Sequence, residues 1–179
     1  MKKLFQTALF FTATLFIVDM VTSRRKEERI NNAAANPNVQ AFLKMIRYAE
    51  GTSGPNGYQT MFTGKLFSVP PWQHPNIKNF ANGITSTAAG AYQFLYSTWS
   101  ELAADLNLSD FSPANQDKGA IELIRQRKAL DDVEAGNFET AITKVNRVWA
   151  SLPGSPYGQP VKTLAELRNV YETYGGDIA

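Results

Sequence analysis

The pattern of apolar residues changes its period twice along the chain, and those two changes constrain the fold more than any other feature. Val39, Phe42, Leu43 and Ile46 recur at i, i+3, i+4 and i+7, the stripe of an amphipathic helix. Asn36 and Pro37 supply a capping side chain and a ring at the first helical position, and Gly51 offers a stop. From Gly51 to Pro75 the stripe gives way to Gly, Pro, Asn and Thr mixed with aromatics. There, Tyr58 to Phe62 and Lys65 to Phe67 flank Thr63-Gly64, which predicts a small β-hairpin lobe. After Gly90 the helical period returns, with helices expected at Gln93–Leu106, Pro113–Lys128, Phe138–Ala150 and Leu164–Tyr174. Ser112-Pro113, Asn137, and Thr163 with Glu166 provide start signals. The expected fold is therefore α+β and predominantly helical, with a small antiparallel lobe inserted after the first helix. A cleft between lobe and helices is a natural bed for a polymer.

Ahead of this body, Met1-Lys2-Lys3 precedes an apolar run from Leu4 to Val21 in which only Asp19 is charged. A short basic start before about 18 such residues reads as a membrane-directed segment, between a long signal peptide and a short span. Val21-Thr22-Ser23 lacks the A-x-A cleavage pattern, which favours an uncleaved anchor over a removed signal. The expected division is residues 1–23 as signal-anchor or signal peptide, 24–36 as a polar tether, and 37–179 as the folded domain. Export to the periplasmic face of the inner membrane follows, either anchored through residues 4–21 or released.

Composition narrows the chemistry. The chain has no cysteine and a single histidine, His74, so thiol catalysis, thiolate metal sites and a histidine-dependent triad have no material to work with. No metal-ligand spacing, phosphate loop or dinucleotide fingerprint occurs, and no cofactor is expected. A net charge of +2, from 18 basic and 16 acidic residues, is too balanced to point to nucleic acid. Carboxylates, hydroxyls and amides remain.

Among the carboxylates, Glu50 extends the apolar stripe at the last turn of its helix, four residues after Ile46. Partial desolvation and the negative end of the helix dipole both disfavour ionisation there, so the carboxyl is expected to hold its proton longer than usual, as a general acid must. The competing reading is an exposed helix-end residue, or a partner for Arg47 or Arg147. Between Gly51 and Ser100 there is no Asp or Glu at all. A two-carboxylate glycosidase mechanism would have to draw its second group from Glu101, Asp105 or Asp117. The same acid-free stretch carries Tyr58, Phe62, Trp72, Tyr92, Tyr96 and Trp99 among Asn, Gln, Ser and Thr. Such a mixture suits a sugar polymer, although core packing would use the same aromatics.

In order and spacing, several blocks resemble the bacteriophage lambda endolysin family of lytic transglycosylases. They are Tyr48-Ala49-Glu50-Gly51-Thr52, Gly57-Tyr58, Gly64-Lys65-Leu66-Phe67, His74-Pro75, and Ser86 through Gly90-Ala91-Tyr92-Gln93. Asp110-Phe111-Ser112-Pro113 with Gln116-Asp117, and Trp149 through Pro153-Gly154 with Tyr157-Gly158-Gln159, complete the set. The resemblance runs from about Val39 to Tyr174. It implies a lysozyme-like fold acting as a monomer on peptidoglycan glycan strands. Non-hydrolytic cleavage between N-acetylmuramic acid and N-acetylglucosamine would give 1,6-anhydro ends, with Glu50 as catalytic residue. It further implies that Tyr58, Gln59, Tyr92, Gln93, Tyr157 and Gln159 contact the glycan, and that the setting is phage-driven host lysis. A hydrolytic muramidase on the same fold and a catalytically silent glycan-binding module are the alternatives. One departure is Gln59, where the family has an acidic residue, read here as tuning of substrate contact.

Overall fold

The computed structural model describes residues 20–81 and 83–179. Most of the proposed membrane segment, residues 4–21, lies outside them. Among the described residues no helix is long and apolar enough to cross a membrane.

Seven helices and one two-stranded sheet make up the described chain. Helix α1 covers 20–34. It is followed by α2 (Pro37–Ala49), β1 (Asn79–Ala81), β2 (Ile84–Ser86), α3 (Tyr96–Leu106), α4 (Pro113–Gln126), α5 (Leu130–Glu134), α6 (Phe138–Val145) and α7 (Leu164–Thr173). Helix α2 is the axis of the body and packs against α4, α5 and α7. Its Val39, Phe42, Met45 and Ile46 are buried, and Phe42 meets Phe138 of α6 and Tyr171 of α7 edge-on at 6.2 and 6.3 Å. The expected cap is present: the Asn36 side chain accepts from the N–H groups of Asn38 and Val39. At the far end, Gly51 takes the left-handed conformation (φ 73°). Its N–H donates to Tyr48 O and that of Thr52 to Arg47 O, the paired reverse bonds of a Schellman ending.

Helices α4, α6 and α7 begin where their sequence signals place them but end sooner, whereas α3 begins later and ends at Leu106 as expected. Lys128 is left-handed (φ 56°), which stops α4 short of it. Gln93 is also left-handed (φ 49°), and Phe94 bridges to Ala89, so α3 starts at Tyr96 and not at Gln93. At Thr163 the expected cap forms, its side chain accepting from Glu166 N–H. Ser112 makes no cap bond; Asp110 accepts from Ser112 N–H instead and also holds Asn115.

Two expectations are corrected. Residues 24–36 were expected as a polar tether, yet 24–34 are helical, with Ile30 and Ala33 fully inside the core. Lys26, Arg29, Ile30 and Ala33 fall at i, i+3, i+4 and i+7, so one face of α1 carries both an apolar seam and two cations. Arg29 pairs with Glu134 and Asp131 at 2.5 and 2.7 Å, and Lys26 with Asp105 at 2.6 Å. Such exposed pairs contribute about 0–1 kcal/mol each, whereas burying Ile30 contributes about 2 kcal/mol, so the apolar seam is the main fastening. The second correction concerns the lobe. Tyr58 and Gln59 lie in a 3-10 turn, and the two arms of the 58–67 region meet through the single Thr60–Leu66 bridge, with a further bridge from Met61 to Ala89. The antiparallel sheet is β1–β2, with Asn79 opposite Ser86 and Ala81 opposite Ile84. Its strands flank Asn82-Gly83, a dipeptide typical of tight hairpins, with Gly83 at φ 77°.

Candidate active site

Glu50 is the C-cap of α2, with φ −78° and ψ −1°. It is half-buried beneath the loop that joins α6 to α7. Ser151 on that loop donates its hydroxyl to Glu50 Oε1 at 2.6 Å. Burial pushes the carboxyl pKa above its ordinary value, while the hydroxyl and backbone of Ser151 pull in the opposite direction without cancelling it. Neither Arg47 nor Arg147 pairs with it. Arg47 instead turns forward to Thr52 O at 3.1 Å and lies over the Tyr58 ring at 4.5 Å.

The loop above Glu50 is fastened on two sides. Lys162 N–H donates to Ser151 O at 2.9 Å. Tyr48, two residues before Glu50, donates its hydroxyl to Glu166 at the start of α7 at 2.6 Å, and Lys162 lies 4.7 Å over the Tyr48 ring while pairing with Glu166. From the core side, Trp149 Nε1 donates to Tyr92 O at 3.1 Å.

The segment that follows Glu50 is equally constrained. The Thr52 hydroxyl is buried within hydrogen-bond distance of Ala91 O and Arg47 O. Gly57 passes so close that a Cβ there would sit 1.8 Å from Thr52 O. Beyond it, the hydroxyls of Tyr58 and Tyr92 both donate to Asp117 Oδ1, at 2.8 and 2.6 Å, with the two rings edge-to-face. Next to Asp117, the wholly buried Gln116 accepts from Ala91 N–H and donates to Tyr58 O and Phe111 O. Helix α4 therefore ties the turn after Glu50 to the Gly90–Gln93 turn.

These contacts sort the expected glycan residues. Tyr92, expected to contact the glycan, is 2% exposed and packs in the core with its hydroxyl on Asp117. Tyr58 is half-buried, its hydroxyl committed to Asp117. Gln93 spends its amide on Thr60 O and Gly90 O, holding the turn together. Tyr157 is 55% exposed and donates to Arg147 O. Gln159 is exposed and Gln59 half-buried. Tyr92, Gln93 and Tyr157 do converge on one cavity of about 230 Å³, whose walls include Trp149, two residues before Ser151. Ser151 itself was not singled out from sequence. Its hydroxyl reaches Glu50 across 101 positions, and only its place in the Trp149–Gly154 block hinted at a role.

A family model described as Endolysin matches residues 40–178. The endolysin of Escherichia phage P2 is 42% identical over 154 residues, spanning 78% of this chain and 93% of that protein. The endolysin of Escherichia phage lambda is 33% identical over 149 residues, spanning 80% and 94%. Among solved structures, bacteriophage lambda lysozyme complexed with a chitohexasaccharide superposes with a TM-score of 0.76 at 33% identity, covering 80% of this chain and 97% of that one. A second lambda lysozyme structure superposes with a TM-score of 0.73 at 34% identity and the same coverage.

Proposed function

The chain belongs to the endolysin family, and from that membership we propose that it degrades peptidoglycan as a lytic transglycosylase with Glu50 as its single catalytic acid. Glu50 protonates the glycosidic oxygen between N-acetylmuramic acid and N-acetylglucosamine. The carboxylate that remains takes the proton from the muramic C6 hydroxyl as that oxygen bonds to C1, closing the 1,6-anhydro ring and regenerating the acid. No water enters.

The observation that carries this reading is the isolation of Glu50. Burial and Ser151 account for its shifted acidity, and no neighbouring carboxylate contributes. A nucleophilic partner at the roughly 5–5.5 Å of a retaining glycosidase would add like-charge repulsion. Of the three later acids that a hydrolytic mechanism could draw on, Asp105 pairs with Lys26, and Asp117 is taken up by two tyrosine hydroxyls. Glu101 is exposed on α3. The raised pKa of Glu50 also argues against a silent binding module, in which nothing would favour a protonated carboxyl. Ser151 fits the cycle by supporting Glu50 in its charged half, between proton donation and proton recovery.

Mass spectrometry of muropeptides released from purified sacculi tests the reading. Anhydromuramic ends are expected. Reducing ends, heavier by one water, would replace it with hydrolysis. For location, the basic start and apolar run of residues 1–21 support export to the inner membrane with the domain facing the periplasm. Deleting residues 2–23 should leave the protein in the cytosolic fraction, and continued membrane or periplasmic recovery would remove the segment from that role.

A further inference from the structure

The cavity shared by Gln93, Tyr157 and Trp149 also has two arginines in its walls, Arg127 just past the end of α4 and Arg147 just past the end of α6. Among the described residues neither guanidinium has a carboxylate partner, although Arg29, Arg125 and Arg168 all do. Both are exposed and line one concavity, so an anion entering it would meet two unpaired cations. The rest of the cavity is prepared for a small polar group. Trp149 and Phe94 are fixed in the core, and Tyr157 is anchored by its hydroxyl to Arg147 O at 2.8 Å, so its ring stands beside that arginine. At about 230 Å³ the space is too small for a length of glycan, yet ample for a carboxylate and its immediate attachment. Position matters as well: the wall residue Trp149 leads within two residues to Ser151, which holds Glu50.

We propose that Arg127 and Arg147 form a carboxylate-binding subsite that recognises the acidic substituents of the muramic acid residue and thereby separates peptidoglycan from neutral chitin-like glycans. This rests on the reading of the protein as a peptidoglycan-cleaving enzyme and adds the basis of its selectivity. Guanidinium forks suit the ligand because they pair with carboxylates through two parallel hydrogen bonds. The carboxylate has two sources in this polymer, the lactyl group when no peptide is attached and the peptide stem when one is.

The test uses the full chain carrying Glu50→Gln, which keeps bound glycan intact, with Arg127→Ala and Arg147→Ala added singly and together. Affinity is measured by calorimetry at low salt for three ligands: peptide-bearing glycan oligomers, the same oligomers after amidase removal of the stems, and chitohexasaccharide. Both arginines are exposed, so the variants are expected to fold, which circular dichroism checks. The double variant should lose about tenfold or more in affinity for a carboxylate-bearing glycan, the size expected for a charge-assisted pair, while chitohexasaccharide binding stays within about twofold. Loss restricted to peptide-bearing oligomers assigns the stem carboxylates as the ligand, loss restricted to the stem-free oligomers assigns the lactyl carboxylate, and loss for both shows that the subsite takes either. Equal losses on all three ligands, or none on any, overturn the subsite. If the Glu50→Gln chain binds none of the three glycans, the peptidoglycan reading fails with it.

Discussion

Ser151 holds its hydroxyl 2.6 Å from Glu50 Oε1, and among the described residues that bond is the one side-chain contact that opposes the effect of burial on the Glu50 carboxyl. Replacing Ser151 with alanine should raise the pKa of Glu50 further. In the proposed cycle Glu50 begins protonated, so the alkaline limb of the pH–rate profile should move to higher pH. The charged half of the cycle loses support at the same time, so the maximal rate should fall by about tenfold, in line with losing one hydrogen bond to an ionised group. A profile that keeps its alkaline limb in place would mean that Ser151 does not act through Glu50.

Glu50→Gln should abolish sacculus lysis and stabilise the fold. The folded-state pKa of Glu50 lies above its ordinary 4.5, so the folded protein binds the proton more tightly than the unfolded chain does. Ionisation therefore destabilises the fold, a penalty absent at pH well below 4.5 and fully present once pH exceeds the folded value. The glutamine variant should gain about 1 kcal/mol at neutral pH, and the gain should vanish on acidification. Paired urea titrations at pH 7 and pH 3.5 measure both.

Tyr92 should behave as a core residue. Tyr92→Ala is expected to cost about 3–5 kcal/mol by cavity formation. Tyr92→Phe, which removes one of the two hydroxyls on Asp117, should cost about 1–2 kcal/mol. Chemical denaturation of both variants distinguishes this from a role in substrate contact, which would lower activity at unchanged stability.

Helix α1 should prove integral to the domain. Ile30→Ala is expected to destabilise by about 2–4 kcal/mol, against at most about 1 kcal/mol for Arg29→Ala. Thermal melts of the two, compared with a chain beginning at residue 37, would show whether the seam or the ion pairs matter more.

Much of the frame was legible because its signals are local. The stripe on α2, the Asn36 and Thr163 caps and the Gly51 ending are each complete within a few residues, and each appears in the structure. Glu50 was legible in part: its place on the stripe sets it at the end of the core face of α2, and the 146–163 loop completes its burial. What escaped depends on partners distant in sequence. Nothing near Ser151 announces that it meets Glu50, and nothing near Tyr92 shows that Asp117, 25 residues on, will bind its hydroxyl. The short strands around Asn82-Gly83 were missed in favour of the more aromatic 58–67 stretch, where Gln93 and Gly57 hold the backbone in turns. Helix α1 was missed for another reason. Its polar composition concealed a sound helical period, because half of its inward seam is charged and finds its counter-charges on α3 and α5.

The clasp that holds the 146–163 loop over Glu50 has a consequence for synthesis. Glu50 leaves the ribosome long before Ser151, Lys162 and Glu166, and until they arrive it is an ordinary solvated acid with no lid. A nascent or prematurely terminated chain that stops before Trp149 thus carries Glu50 without the burial that raises its pKa. Completion of the polypeptide is itself the last step in assembling the proposed site.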